Sequence, residues 1–187
     1  MQTIYMLFLL SSILSIVLYK KPLFAQKIGF GLAGVISLYA AIFFFSHLNE
    51  VMVWKLPGNF ISLPSFKLDS LGMFFSFLIS LISFAVSIFS FDYAKFYEKK
   101  ANLAVFASLF NAFILSMLLV IASDNVFSFM LLWEIMTLIS AFLILINDGK
   151  DASKNVMIYL GIAQIGAFCL MVALIIMASL AHLPNLI

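Results

Sequence analysis

The sequence predicts an all-α fold: a polytopic transmembrane bundle of six helices with its N-terminus outside. Three observations carry this. Hydrophobic residues make up 65% of the 187 and charged residues 10%, with a mean hydropathy of +1.21. A soluble domain carries about 25% charged residues, so this chain cannot coat a soluble globule. Six apolar runs follow one another, each close to the roughly 20 residues that a spanning helix needs. The lysines, finally, gather on one side of those runs.

The runs cover 2–19, 28–48, 70–91, 102–122, 126–146 and 155–180. They are continuous rather than alternating with a period of two, which argues against a β-barrel; a backbone in lipid must then satisfy itself within helices. The first run has no basic residue ahead of its apolar core and no small-x-small cleavage site after it. It reads as a retained helix, not a signal peptide. There is no arginine. Lys20, Lys21, Lys27, Lys95, Lys99, Lys100, Lys150 and Lys154 follow the odd-numbered runs, while only Lys55 and Lys67 lie on the other side. Eight against two puts the odd-numbered links in the cytoplasm and both termini outside, in a bacterial inner membrane.

The links are informative in turn. Pro22 marks the turn between the first two runs. Residues 49–69 form the longest non-membrane segment, and their Pro-Gly pair between apolar pieces reads as a turn flanked by short extended stretches. Trp54 is expected near the outer headgroups. Ser123, Asp124 and Asn125 alone join the fourth and fifth runs, which forces those helices to be antiparallel neighbours. Asp148-Gly149 signals a turn before the sixth run, with Asp151 or Ser153 as a cap. No repeat or linker divides the chain, so 1–187 reads as one membrane domain.

In the third run Ser76, Ser80, Ser83, Ser87 and Ser90 form a single helical seam. Close packing is the favoured reading, because small residues let helices approach in lipid; a polar conduction path is the sharper one. Gly29, Gly31, Gly34, Gly161 and Gly166 also read as packing positions. Cys169 stands alone, which excludes a disulfide framework. His47 and His182 have no companion ligand types, so no metal site is expected. No nucleophile–base constellation or phosphate loop is present, no cofactor is expected in this chain, and nothing points to nucleic acid.

Glu134 is the one formally charged residue well inside any run. A carboxylate at a helix centre costs about 2.5–3.5 kcal/mol on insertion scales, which makes it a functional-site hypothesis. Desolvation favours its neutral form and a neighbouring lysine its charged form; a group that visits both states suits a proton relay. No lysine lies inside the runs, so its partner is water, an uncharged side chain or another segment. Thr137 and Ser140 share its helix face, and Asn111 and Gln164 are polar near the middle of the fourth and sixth runs. A structural interhelical hydrogen bond is the favoured reading for Asn111 and Gln164.

These residues also carry a resemblance. The LDSL start of the third run, the tyrosines and Tyr-Glu after it, Asp-Asn before the fifth and its acidic WEIMTL centre occur in order. From Leu68 to Met177 this series resembles the antiporter-like membrane subunits of respiratory complex I and of membrane-bound hydrogenases, within the branch of hydrogenase-4 component B and subunit 3 of formate hydrogenlyase. The resemblance implies a subunit that takes part in moving protons while partner subunits perform redox chemistry. It implies that Glu134 faces a lysine on a later helix, for which this chain has no counterpart. The expectation is therefore the N-terminal portion of a longer subunit, or a shortened one completed by another chain. Other membrane subunits and the lipid bilayer are the expected partners. The competing classes are a component of a multi-subunit cation/proton antiporter and a structural membrane scaffold.

Overall fold

The computed structural model describes residues 1–55, 65–93, 102–146 and 152–180. Its elements are α1 (Gln2–Val17), α2 (Pro22–Ser46), β1 (Met52–Lys55), β2 (Ser65–Leu68), α3 (Ser70–Tyr93), α4 (Leu103–Ala122), α5 (Val126–Leu145) and α6 (Ala152–Leu180). The six helices come in the predicted order. Five are long and apolar enough to cross a membrane. The 16-residue α1 reaches only about 24 Å at 1.5 Å per residue. α2 starts earlier than its apolar run suggests. Pro22 occupies the first turn, where its missing N–H is not needed, and Lys27 is carried exposed on the helix instead of ending it.

Asparagine and aspartate set the other starts. Asn102 Oδ1 accepts the Ala104 N–H at 2.9 Å, Asn125 Oδ1 accepts the Ser128 N–H at 2.6 Å, and Asp69 Oδ1 accepts the Gly72 N–H at 2.8 Å. Each side chain satisfies a backbone donor that the helix leaves over. Ser153 lies inside α6 rather than capping it. Asp148, Gly149 and Asp151 lie outside the described residues.

The extended pieces expected in 49–69 are an antiparallel pair, with Met52 opposite Leu68 and Lys55 opposite Ser65. Trp54 stacks on Phe66 with ring centroids 5.3 Å apart, and Phe66 bridges to Ser123 in the α4–α5 link. Met1, Gln2 and Thr3 border a shallow pocket with Met52, Val53 and Trp54. The start of α1, the hairpin and the α4–α5 link therefore share one end of the bundle.

α4 is the central helix, packed against α1, α2, α3 and α5. Ile114 and Leu118 of α4 meet Ile4, Phe8, Phe44 and Met73 in the main core. Toward the other end, Phe30 packs edge-on to Phe106 and Phe110 at 5.5 and 5.3 Å. All five seam serines of α3 are buried. Ser80, Ser87 and Ser90 donate to carbonyls on their own helix at 2.6–2.8 Å. A methyl group at Gly34 would lie 3.6 Å from Ser87 Cβ. The seam thus packs α3 onto α2, in line with the close-packing reading.

Two of the glycines differ from expectation. Around Gly161 and Gly166 there is no atom within 4 Å of an added methyl. α6 packs mainly on α5, so its glycine face has no neighbour among the described residues. A small residue permits a close approach without supplying the helix that makes it.

Candidate functional site

The α4–α5 link turns the chain back on itself, and α5 then lies between α4 and α6. In the middle of α5 the half-buried Glu134 faces α6. Its Oε2 accepts a hydrogen bond from Gln164 Nε2 at 2.7 Å. Among the described residues, Gln164 is the side chain that hydrogen-bonds this carboxyl group.

Below Glu134 the same face of α5 stays polar. The buried Thr137 hydroxyl donates to the Glu134 carbonyl at 2.8 Å, and Ser140 donates to the Thr137 carbonyl at 2.8 Å. Ser140 Oγ also meets the Tyr159 hydroxyl of α6. Two polar ties thus join α5 to α6. Thr137 supports Glu134 through its backbone and makes no contact with the carboxyl itself.

Tyr159 is the member of the group that sequence reasoning missed. Its signal existed only once the helices were in register. Antiparallel helices advance in opposite directions, so the Glu134–Gln164 pair places Tyr159 beside Ser140 about one and a half turns away.

Asn111 lies elsewhere. It is fully buried, and its Nδ2 donates to the Gly29 carbonyl at 3.1 Å and the Ala107 carbonyl at 2.9 Å. It ties α4 to α2, and among the described residues its Oδ1 has no partner. Asn111→Ala is accordingly expected to lower the stability of the detergent-solubilised chain by about 0.6–2 kcal/mol, the range for interhelical hydrogen bonds in membranes. It should leave ion movement through the assembled complex unchanged, a result that transport assays on vesicles can check. His47 is engaged within its own helix, with Nδ1 donating to the Phe43 carbonyl at 2.8 Å and its ring stacked on Phe43.

The chemistry open to the pair follows from its atoms. An ionised Glu134 only accepts hydrogen bonds, and a protonated one also donates. The Gln164 amide carries both a donor and an acceptor, so turning it end over end satisfies either state. The contact therefore tolerates the gain and loss of one proton without breaking.

No protein-family model matches the chain. It is 35% identical to hydrogenase-4 component B of Escherichia coli over 121 residues, covering 65% of this chain and 18% of that protein. A Staphylococcus saprophyticus protein bearing the name antiporter subunit mnhA2 is 28% identical over 188 residues, covering 90% of this chain and 23% of the relative. The chain thus spans about a fifth of the length of these relatives. Among solved structures, a chain of the membrane-bound sulfane sulfur reductase, an archaeal respiratory membrane complex, superposes with a TM-score of 0.72 at 18% identity. That match covers 94% of this chain and 36% of the other, and it shows a shared fold.

Proposed function

We propose that the chain, which is similar to hydrogenase-4 component B and to an mnhA2-named antiporter subunit, takes part in proton translocation coupled to redox chemistry within a hydrogenase or complex I-like assembly. The observation that carries this reading is Glu134: a carboxyl in the middle of α5, held by an amide on α6 that accommodates both of its protonation states. Electron transfer and its cofactors belong to partner subunits. A basic side chain on a partner segment, laid against the exposed side of the α5–α6 pair, supplies the counter-charge. The test uses vesicles containing the whole assembly: Glu134→Gln should lower the number of protons moved per electron, and an unchanged ratio with unchanged rates sinks the relay role.

The match to the mnhA2-named relative over 90% of the chain favours a second reading, a component of a multi-subunit cation/proton antiporter. There, proton movement would require sodium or another cation on the opposite side and no electron donor. The two readings part on whether redox substrate or a cation gradient drives the movement.

The chain lies in a bacterial inner membrane with both termini outside, a placement supported by the lysine bias. In a Cys169→Ser background, a cysteine at Asn49 is expected to react with a membrane-impermeant maleimide in intact cells. One at Lys20 should react only after the membrane is opened. The reverse pattern would invert the topology.

A further inference from the structure

We propose that Tyr159 is a positioning residue for Glu134: its hydroxyl bond to Ser140 locks the rotation of α6 and so holds Gln164 against the carboxyl group. This rests on Glu134 being the titrating group of the proposed relay. The two ties between α5 and α6 sit on opposite edges of one contact. At about 100° per residue, Glu134 and Ser140 lie about 120° apart round α5, and Gln164 and Tyr159 about 140° apart round α6. Yet Glu134 meets Gln164 and Ser140 meets Tyr159, across the same two helices. Side chains so far apart reach one neighbour only from either side of the line of closest approach. Thr137 falls midway between Glu134 and Ser140 on α5, and Ala167 falls between Gln164 and Tyr159 on α6. Both are buried, as that line requires.

Small side chains occupy the line, with Ala141 buried beside Thr137. They offer shallow ridges, so little in their shape resists the turning of one helix against the other. Among the described residues α6 packs mainly on α5. A single tie at one edge is therefore a pivot, and a second tie at the other edge removes the rotation. The Ser140 hydroxyl gives its one proton to the Thr137 carbonyl, so Tyr159 is the donor of this second tie. Side-chain tips ride about 6 Å from a helix axis, so a turn of about 20° carries the Gln164 amide about 2 Å. Its 2.7 Å bond to Glu134 is then stretched beyond hydrogen-bonding range. Tyr159 acts on the carboxyl through the helix it holds.

Infrared spectroscopy of the full chain in bilayers at acidic pH, differenced against Glu134→Gln, isolates the C=O stretch of the protonated Glu134. Tyr159→Phe should move that band to higher wavenumber, as loss of a hydrogen bond does, and Gln164→Leu should move it the same way. Ser140→Ala removes the tie from the other helix and should match Tyr159→Phe. Ser140→Thr keeps the hydroxyl and should leave the band in place. A merely structural tyrosine would lower thermal stability without touching the band, so a band that Gln164→Leu moves and Tyr159→Phe does not overturns the proposal. In vesicles of the whole assembly, Tyr159→Phe should lower the protons moved per electron on the order of tenfold, the scale of one hydrogen bond. Combined with Gln164→Leu it should lose no more than either variant alone; losses that multiply overturn the proposal as well. Failure of the relay reading shows separately, as a proton-to-electron ratio that Glu134→Gln itself leaves unchanged.

Discussion

Glu134→Gln is expected to slow proton passage through the α5–α6 site by on the order of a hundredfold, the scale on which a positioned acid–base group acts. The substitution isolates titration from everything else the side chain does. Glutamine keeps the length, planarity and hydrogen-bonding capacity of the carboxyl, so the tie to Gln164 survives as an amide–amide bond. Insertion of α5 becomes easier, because a neutral group replaces an ionisable one at mid-membrane. Assembly of the complex and electron transfer at saturating donor should therefore persist, while proton uptake by energised vesicles falls. Gln164→Leu is the matching control, since it leaves the titratable group and removes its donor. Its loss should be smaller than that of Glu134→Gln. If Gln164→Leu proves the more damaging, the pair serves as a structural clamp and the relay assignment fails.

The largest loss of stability is expected from Gly29→Ala. A methyl group there would lie 2.7 Å from Ala107 Cβ on α4 and 2.5 Å from Ser15 Oγ on α1. The Ser15 hydroxyl is already committed to the Ser11 carbonyl at 2.8 Å, and Ala107 Cβ moves only with its helix. Three helices must part, and the Asn111 bond to the Gly29 carbonyl lengthens with them. Overpacking of this kind costs about 1–3 kcal/mol. Unfolding of the chain by detergent titration measures it. Gly161→Ala is the same chemical change on open surface, where the helix propensity of alanine contributes up to about 1 kcal/mol of stabilisation. In the isolated chain it should be neutral or stabilising. A defect from Gly161→Ala confined to the assembled complex would mean that a partner helix covers this face of α6.

How much of this was legible in the sequence depends on whether a feature is local. The spans follow from composition, and the two extended arms follow from the apolar pieces on either side of the proline–glycine pair, which itself lies outside the described residues. The antiparallel pairing of α4 with α5 follows from a link too short for any alternative. Glu134 stands out because charge in lipid is expensive wherever its helix packs. The start of α2 at Pro22 was hidden by Lys27, whose charge ends an apolar run on paper but not a helix whose surface reaches the headgroups. Facing is the harder quantity. Nothing in the glycines themselves separates Gly29, pressed between two helices, from Gly161, open on one side. Asn111 and Gln164 have the same amide chemistry near mid-membrane, yet one closes the inner bundle and the other meets Glu134. Tyr159 gave no signal until the register of its neighbour was known.

The uneven packing of the bundle has a kinetic consequence. α1 to α4 share the apolar clusters and the glycine contact, whereas among the described residues α6 packs mainly on α5, with two polar ties between them. Opening free energy is lowest where contacts are fewest. α6 should therefore be the first element to exchange its amide hydrogens and the last to settle during assembly. It can shift to admit a neighbouring helix while the four-helix centre remains folded.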